Sequence, residues 1–348
     1  MKIENKIISQ KNPCFIIGEI GSNHNLNYKN VKKLIDAASN AKFDAIKFQI
    51  YDAEEAFSKN ETTIDVGLEK IYGNKPWWLI AKNKILMPRS WFKPAYDYAR
   101  SKGLIPFSTI HRYEDVSFLN KIGIPVIKIA SIDFTYFQLL EKLVKIKKPM
   151  IISTGMASSK EITTTVKFLK KKKFSNFCLL HCKSNYPPNI NEINLNNIQM
   201  LKEKFNVLSG YSDHSPSIID SIVSVACGAK IIEKHITLNR KMKGPDHGFA
   251  IEPKEMIELV NGIRRTEKIL GSYERKVYKS DFNSRKMIRR SIVAKKKIYK
   301  NQIISIENIK FARPGTGLPT SKFNFINGKV AKIDIPAETL ILPKMLKK

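Results

Sequence analysis

The sequence has no apolar run long enough to cross a membrane and no apolar leader segment at its start. A membrane-spanning helix needs about 20 successive apolar residues, whereas residues 1–12 are mostly polar and no later run approaches that length. We therefore expect no membrane partner and a place in the cytoplasm.

Cysteine is scarce, with 4 residues in a chain of 348. None of them forms a Cys-x-x-Cys pair, and Cys14, Cys178, Cys182 and Cys227 each lie within or beside an apolar run. We expect buried thiols, because a cysteine-based metal or redox site requires paired spacing. The phosphate-loop, dinucleotide and nucleophile-elbow patterns GxxxxGK[ST], GxGxxG and GxSxG are also missing, which disfavours nucleotide-binding and acyl-transfer chemistry.

Acidic residues are few, since 31 Asp and Glu face 61 Lys and Arg for a net charge of +30. So basic a chain raises the question of nucleic acid. The lysine runs at 171–173 and 295–297 are far apart and lack interleaved aromatic residues. We therefore expect a solvated surface and no nucleic-acid partner, with the alternative that the positive field steers an anionic substrate toward a cleft.

What the sequence does contain is a regular alternation of short apolar, β-branched runs with longer helical patterns. Near-continuous apolar strands indicate burial on both faces, as in a parallel sheet covered by helices. Eight repeats in about 250 residues favour an α/β fold of the (β/α)8 or TIM-barrel type, with a doubly wound sheet as the alternative. The eight runs are residues 15–20, 45–49, 105–109, 126–131, 150–154, 177–182, 206–212 and 229–235.

The pattern divides the chain into three regions. Residues 1–271 form the predicted barrel, residues 272–288 read as a charged, irregular linker, and residues 289–348 read as a small, mostly β or irregular domain. About fifty-five residues separate Gln49 from Ile105, and Trp77, Trp78 and Trp91 lie in this interval. We interpret it as a lid, an oligomer contact or a simple packing element.

Histidines follow the ends of the predicted strands, where barrel enzymes carry their chemistry. His214 and His235 close consecutive strands, so their imidazoles would be neighbours at the rim of a closed barrel. Two imidazoles completed by water and substrate oxygens suit a divalent ion such as Mn2+ better than a closed structural zinc site. Hydrogen-bonded rim histidines are equally consistent with the spacing.

Charged and hydroxyl side chains also collect at the strand ends. Lys47 and Lys128 lie within apolar strands, where a lysine needs a partner, either a bound anion or an internal ion pair with Glu19 or Glu233. Six hydroxyls at the strand ends predict a cradle for phosphate or carboxylate oxygens. They belong to Ser108, Thr109, Ser131, Ser153, Ser184 and Ser212.

Seven short motifs at or near the strand ends, taken together and in their order along the chain, are specific enough to indicate a protein family. The chain resembles the sialic acid synthases, which include N-acetylneuraminate, legionaminate and pseudaminate synthases, over nearly its whole length. The motifs are residues 18–24 (GEIGSNH), 46–49 (IKFQ), 128–131 (KIAS), 153–156 (STGM), 211–214 (YSDH), 233–235 (EKH) and 244–247 (GPDH).

The resemblance implies a barrel followed by an antifreeze-like (SAF) domain at residues 289–348, in a domain-swapped homodimer. In that arrangement Arg313 would reach the partner's active site and contact the sugar's acylamino group. The implied reaction condenses phosphoenolpyruvate with an N-acylated amino-sugar aldehyde and water, giving a nine-carbon sugar acid and phosphate. The aldehyde would be N-acetylmannosamine or a 2,4-diacetamido-trideoxyhexose.

The resemblance also implies roles for individual residues. His214 and His235 would hold the divalent ion, with Mn2+ favoured and Mg2+ or Co2+ as alternatives. Glu19 would move protons at the aldehyde oxygen or the attacking water. Lys47 and Lys128, with Thr109 and the strand-end serines, would hold the phosphate and carboxylate. The sugar contacts would be Gln49, Asp133, Tyr186 and Asp246.

Two departures from the family pattern lie near the implied sugar site. The third strand reads Ser108-Thr109-Ile110-His111, where family members usually continue Thr-Pro-Phe, and Asp133 stands where several members have glutamate. They leave open which sugar is used. Ser184, where some members carry asparagine, keeps a hydrogen-bond donor.

Two other functions are consistent with parts of the pattern. One is a different phosphoenolpyruvate-dependent barrel synthase that uses an aldose phosphate, which would need a basic pocket of its own. The other is a non-catalytic protein that binds surface polysaccharide or nucleic acid on the same fold. Glu19, Lys47, Lys128, His214 and His235 are all present, which argues against the second alternative.

Overall fold

A computed structural model of the chain describes residues 1–347. The chain divides into two compact units, Met1–Gly271 and Ser272–Lys348. A short antiparallel hairpin, β1 (Lys2–Ile3) with β2 (Lys6–Ile7), opens the first unit. No helix among residues 1–347 is long and apolar enough to cross a membrane.

The first unit is a closed barrel of eight parallel strands, which confirms the predicted (β/α)8 fold and excludes the doubly wound alternative. The last strand pairs with the first, with Ile231 opposite Phe15 and His235 opposite Glu19. The strands are β3 (Phe15–Glu19), β4 (Ala45–Ile50), β5 (Ile105–Ile110), β6 (Ile127–Ile129), β7 (Met150–Ser153), β8 (Phe177–Cys182), β9 (Leu208–Asp213) and β10 (Ile231–His235).

Alternating side chains on these strands face either the barrel interior or the surrounding helices. Phe48 on β4 faces outward, where its ring packs against Phe92 and Tyr96 of a covering helix. Its neighbours Lys47 and Gln49 therefore face inward. This alternation decides which of the polar residues at each strand end can contribute to a shared site.

In the first unit, the helices of ten or more residues each bury one largely apolar stripe. In α1 the stripe is Val31, Leu34, Ile35 and Ala38, at the spacing of one helix face, and Asn27 caps the first turn. The helices of the first unit are α1 (Tyr28–Asn40), α2 (Ala53–Ala56), α3 (Glu69–Tyr72), α4 (Trp77–Ile80), α5 (Arg89–Ser101), α6 (Glu114–Lys121), α7 (Phe137–Val144), α8 (Ser159–Lys171), α9 (Asn196–Phe205), α10 (Ile219–Ala226) and α11 (Pro253–Leu270).

The long connection between β4 and β5 contains α2, α3 and α4 before it reaches α5. Trp77 packs edge-on against Phe57, and Trp91, which belongs to α5, packs against Tyr28 and His24. These contacts agree with the packing interpretation of Trp77 and Trp91.

The second unit has its own small core, built mainly from isoleucines such as Ile292, Ile304 and Ile326. Strands β11 (Ser291–Ala294) and β12 (Ile309–Ala312) pair antiparallel. Ile303 and Val330 form an isolated antiparallel bridge in the same unit. A short helix, α13 (Phe323–Ile326), packs into the same core.

The expected irregular segment 272–288 contains a ten-residue helix, α12 (Lys279–Ile288). The Asp281 carboxylate accepts a hydrogen bond from the Tyr278 backbone N–H at the start of this helix. The sequence pattern missed the helix because its apolar residues, including Phe282 and Met287, are exposed and form no buried stripe. The four cysteines are free thiols, as expected, although Cys227 is half-buried while the others are buried.

Candidate active site

Four charged side chains meet inside the barrel, near the carboxyl ends of its strands. The Lys47 Nζ atom lies 3.0 Å from Glu19 Oε2 and 3.1 Å from Glu233 Oε1. The Lys128 Nζ atom lies 3.9 Å from the same Glu233 oxygen. All four residues are buried, so their charges interact with little screening by water. The internal ion pairs that the sequence suggested are therefore present.

The two carboxylates in this cluster have opposite pKa shifts. Burial raises the pKa of Glu19 to about 7, and the attraction of Lys47 only partly opposes that rise. Burial also acts to raise the pKa of Glu233, but the charges of Lys128 and Lys47 outweigh it and hold this pKa below its usual range. Glu233 is thus the permanent anion of the cluster, while Glu19 can exchange a proton near neutral pH.

The predicted hydroxyl cradle lies beside the two lysines. Lys47 donates to Thr109 Oγ1 at 3.2 Å, and Lys128 donates to Ser153 Oγ at 2.6 Å. Ser212 donates to Glu233 at 3.1 Å. These contacts bring three of the six predicted hydroxyls into direct contact with the charge cluster.

Two more serines of the cradle lie around Gly155, which follows β7. The Ser131 hydroxyl accepts a hydrogen bond from the Gly155 backbone N–H at 2.9 Å and lies 3.1 Å from the Cys182 thiol. The Ser184 hydroxyl is buried and has no hydrogen-bond partner among residues 1–347. A buried hydroxyl without a partner is costly unless a ligand completes it. The cradle therefore has the donors that an anion needs.

Ser108 does not belong to the cradle, and the prediction for this residue is wrong. Its hydroxyl is fully buried on the outer face of β5 and lies 2.8 Å from the Tyr96 hydroxyl on α5. The next residue, Thr109, faces inward toward Lys47. Side chains alternate along a strand, so two consecutive residues cannot both face the interior.

The two histidines expected at the rim are neighbours. The ring centroids of His214 and His235 are 5.6 Å apart, with the rings nearly perpendicular. The Nδ1 atom of His214 lies 2.6 Å from the carbonyl oxygen of Lys183, which leaves Nε2 with a free lone pair. Burial lowers the pKa of both imidazoles to about 3, helped by His235 for His214 and by Lys47 for His235.

This histidine pair fits an open divalent-metal site. Neutral imidazoles are the ligating form of histidine, and the hydrogen bond from His214 Nδ1 to the Lys183 carbonyl oxygen fixes the orientation of the His214 ring. In the part of the chain that the structure describes, no group of three His, Cys, Asp or Glu side chains is arranged to hold a metal. Any ion here would need water or substrate oxygens for its remaining positions.

An ion pair on the outer face of the barrel supports the loop that carries His214. Lys234 is fully buried and lies 2.8 Å from Asp213. Its ammonium also donates to the carbonyl oxygen of Ser217 at 2.9 Å. Because Lys234 and Asp213 adjoin the two histidines in sequence, these bonds hold both strand ends in place.

The residues implied in sugar binding surround the mouth of the barrel. Gln49 donates to Glu19 at 2.7 Å. Asp246 accepts hydrogen bonds from the backbone and hydroxyl of Ser22 at 3.1 and 2.9 Å. The Tyr186 ring lies 4.2 Å from the His214 ring, centroid to centroid, and Tyr186 is half exposed at the rim.

Asp133 lies at the mouth as well, in a short 3-10 turn after β6. Its carboxylate lies 2.7 Å from Nδ1 of His111, the residue that departs from the family pattern. The His111 ring stacks on Tyr51 with ring centroids 3.8 Å apart. Arg313 lies in the second unit, directly after β12, and is exposed there.

The other histidines do not lie beside His214 and His235, although all six lie at or just beyond predicted strand ends in the sequence. His181 faces outward on β8, where Nε2 lies 2.6 Å from the Ile193 carbonyl oxygen. His247 lies 2.7 Å from the Thr237 hydroxyl, and His24 accepts a hydrogen bond from the Leu26 backbone at 3.0 Å. Their positions in the sequence predict side chains at the rim of the barrel. Strand alternation and loop packing direct these side chains away from His214 and His235.

Two residues of the site, Glu233 and Phe249, make contacts that the sequence pattern does not indicate. The sequence suggests Glu233 only as a partner for one buried lysine. In the structure it contacts both lysines, Lys47 and Lys128, and accepts a hydrogen bond from Ser212. Its position two residues before His235 marks it as facing the same side of β10. Phe249 packs 5.0 Å from the His235 ring and follows a turn that no strand or helix pattern marks.

Comparison with known proteins finds relatives that match most of the chain. The chain is 39% identical to an uncharacterised protein of Methanocaldococcus jannaschii, across 98% of this chain and 97% of that one. It is 36% identical to the N,N'-diacetyllegionaminic acid synthase of Campylobacter jejuni, across 94% and 98%. The crystal structure of the N-acetylneuraminic acid (sialic acid) synthetase of Leptospira borgpetersenii superposes with a TM-score of 0.72 at 37% identity, covering 82% of this chain and 94% of that one.

The family descriptions agree with these relatives and with the motifs in the sequence. The NeuB family matches residues 34–275, and the SAF domain matches residues 289–347. The resemblance to the sialic acid synthases is thereby confirmed, and so is the barrel with a C-terminal SAF domain. The chain belongs to the NeuB family.

Proposed function

We propose that the protein condenses phosphoenolpyruvate with an N-acylated amino-sugar aldehyde and water to form a nine-carbon, sialic-acid-type sugar acid and phosphate. The observation that carries this proposal is the buried cluster of Glu19, Lys47, Glu233 and Lys128. It lies between a serine cradle suited to an anion and a pair of neutral histidines. The legionaminic acid and sialic acid synthases among the relatives support this reaction class.

The phosphoenolpyruvate anion would be held by Lys47, Thr109 and Lys128 together with the cradle serines. Lys128 is hydrogen-bonded to Ser153. Ser184, which lies beside Gly155, has a buried hydroxyl without a hydrogen-bond partner among residues 1–347. Burial lowers the pKa of Lys128, so an incoming anion would strengthen its charged form. These donors hold the substrate phosphate and carboxylate in a site shielded from bulk water.

In the bond-forming step, C3 of phosphoenolpyruvate attacks the aldehyde carbon while the aldehyde oxygen takes up a proton. Water then adds at C2 and loses one proton, which gives a tetrahedral carbon bearing a hydroxyl and the phosphate. The C2–O bond to phosphate breaks while that hydroxyl gives its proton to the departing phosphate, leaving a 2-keto acid and hydrogen phosphate. Glu19 is suited to moving a proton at the aldehyde oxygen or the attacking water, because its pKa of about 7 lets both forms exist near neutral pH.

His214 and His235 would hold a divalent ion, for which we favour Mn2+ over Mg2+ or Co2+. When bound, such an ion supplies Lewis acidity toward an aldehyde or water oxygen. The chain's own contribution is to keep both imidazoles neutral and the His214 ring fixed on the Lys183 carbonyl.

The amino sugar would contact Gln49, Asp133, Tyr186 and Asp246 at the barrel mouth. We further propose that Arg313 completes this site from the partner subunit of a domain-swapped homodimer. Both the dimer and a cytoplasmic location belong to this proposal.

The proposal is tested by measuring phosphate release from phosphoenolpyruvate with Mn2+ and three separate acceptors. These are N-acetylmannosamine, 2,4-diacetamido-2,4,6-trideoxymannose and the corresponding pseudaminate precursor. We expect release with at least one acceptor and a nine-carbon acid by mass spectrometry. A folded protein that releases no phosphate with any of them would contradict the proposal.

The metal assignment makes a separate prediction. His214→Ala and His235→Ala should each weaken Mn2+ binding by about 100-fold or more, because each removes one of two imidazole ligands. Calorimetry measures the binding directly, and phosphate release should fall with it. His181→Gln is the matched control, since His181 faces away from the site. Normal Mn2+ affinity in either alanine variant would refute the assignment.

A further inference from the structure

A stacked pair of aromatic rings lies beside the barrel mouth, at the ends of β4 and β5. Ile50 and Ile110 are register partners on these strands, so the next residues, Tyr51 and His111, are neighbours. Their rings are nearly parallel, with an interplanar angle of 16° and centroids 3.8 Å apart. The stacking fixes the plane of the His111 imidazole.

The hydrogen bond to Asp133 fixes which His111 nitrogen carries the proton. The Asp133 carboxylate can only accept, so Nδ1 of His111, at 2.7 Å, is the donor. Burial lowers the pKa of this imidazole despite the opposing charge of Asp133, so the ring is neutral. Nε2 is then a hydrogen-bond acceptor.

That acceptor has no hydrogen-bond partner among residues 1–347. The His111 side chain is 8% exposed, and Nε2 is buried without a hydrogen bond to any of residues 1–347. Buried acceptors of this kind are normally satisfied. A group that donates a hydrogen bond from outside the chain would complete it.

The space next to His111 is large enough for part of a sugar. A cavity of about 430 Å³ is lined by His111, Tyr51 and Asp133 among others. Tyr51 and His111 come two residues after Gln49 and Thr109 on the same two strands. Gln49 donates a hydrogen bond to Glu19 and Thr109 accepts one from Lys47, so the charge cluster begins next to this stacked pair. The cavity therefore adjoins the place where the aldehyde would react.

The charge on the cavity wall restricts what can enter. Asp52, Glu55 and Glu114 line the cavity together with Asp133. The one arginine on the wall, Arg112, is already paired with Asp115 at 2.9 Å and Asp52 at 3.2 Å. A phosphate group would meet carboxylates, and the described residues of the wall offer it no free cation, whereas hydroxyl and amide groups would find acceptors.

We propose that His111 is a specificity-determining residue whose Nε2 accepts a hydrogen bond from the tail of an uncharged acceptor sugar. The donor is a hydroxyl or an acylamino N–H of the sugar, and Asp133 acts as a positioning residue that holds the tautomer. The substrate class is thus a neutral, unphosphorylated amino-sugar aldehyde. This inference rests on the proposed synthase function.

The test compares steady-state kinetics of the unmodified enzyme, His111→Phe and His111→Gln. Phenylalanine keeps a stacking ring but lacks the acceptor, so the KM for the neutral sugar should rise about 10-fold or more, the effect of losing one buried hydrogen bond. Glutamine offers an acceptor oxygen and should recover part of that loss. The KM for phosphoenolpyruvate should stay the same in both variants. Tyr113→Phe, an exposed aromatic residue nearby, controls for general effects.

A second arm compares N-acetylmannosamine with its 6-phosphate on the unmodified enzyme. We expect kcat/KM for the phosphorylated sugar to be lower by about 100-fold or more, because its phosphate would be placed against a wall with more carboxylates than cations. Equal use of both sugars would overturn the inference, as would an unchanged sugar KM in His111→Phe with normal thermal melting. If the enzyme uses a neutral sugar but the His111 variants have an unchanged sugar KM, the inference about His111 fails and the synthase function is retained. If the enzyme uses no acceptor at all, both the inference and the proposed synthase function fail.

Discussion

At the scale of single residues, two buried carboxylates share one lysine but have opposite pKa shifts. Glu19 and Glu233 both lie about 3 Å from the Lys47 ammonium. Glu233 is also attracted by Lys128, which holds its pKa low, whereas burial raises the pKa of Glu19. Carboxylates whose pKa values are pushed apart in this way commonly divide acid–base and electrostatic tasks.

The raised pKa of Glu19 predicts the pH dependence of the reaction. If Glu19 must be ionised to accept a proton, the value of kcat/KM for phosphoenolpyruvate should fall as the pH drops through about 7. Glu19→Gln should lower the rate and remove this dependence, leaving only the ionisation of the substrate itself. The measurement is the pH profile of phosphate release for both proteins. An identical profile in the variant would show that another group is responsible.

At the scale of elements, the turn after β7 shapes the anion cradle. Gly155 packs so closely on the neighbouring strand ends that an added Cβ would meet Ser131 Oγ at 2.7 Å and Cys182 Sγ at 2.9 Å. The hydroxyl of Ser184 would be closer still. These contacts come from the ends of two other strands, β6 and β8, so the cradle depends on the absence of a side chain at one position.

Gly155→Ala should therefore damage phosphoenolpyruvate binding more than folding. The new methyl group displaces the serine hydroxyls, and we expect the KM for phosphoenolpyruvate to rise about 10-fold or more, as when a charge-assisted hydrogen bond is lost. Gly248→Ala is the control, because its added Cβ would meet no atom within 4 Å. The measurements are the KM for phosphoenolpyruvate and the thermal melting temperature of both variants. A normal KM in Gly155→Ala would mean that the cradle does not hold the anion.

At the scale of the whole molecule, the chain combines a barrel and a SAF domain, each with its own core. The net charge of +30 is spread over both and is not concentrated in the site, where the cavity beside His111 is acidic. The proposed role of Arg313 requires the second unit of one subunit to act on the barrel of the other.

Arg313→Ala should raise the KM for the sugar by about 10-fold or more and leave the KM for phosphoenolpyruvate unchanged, because a lost interaction with the acylamino group affects one substrate only. Arg290→Ala, an exposed arginine of the same unit, is the control. Mixing Arg313→Ala with Glu19→Gln subunits gives a sharper test. A shared site predicts restored activity, since one barrel in each mixed dimer would have both groups intact. No restoration would place Arg313 outside the partner's site.

The sequence predicted much of the fold from apolar runs alone. All eight expected strands exist, and residues 177–182 agree with β8 at both ends. Such runs are readable because each buried strand must be apolar on both faces. Helix α12 was missed because its apolar residues are exposed and leave no pattern.

By itself, the sequence determined the barrel, the order of the strand-end motifs and the neighbouring positions of His214 and His235. Only the tertiary structure decided that Ser108 faces α5 while Thr109 faces the site. Side chains alternate along a strand, but the sequence does not show which alternate set faces the barrel interior. The tertiary structure also decided that His111 is held by Asp133 and Tyr51 with one nitrogen unpaired. Those contacts join residues from three separate strand ends, and their distances depend on closure of the barrel, which no local pattern encodes.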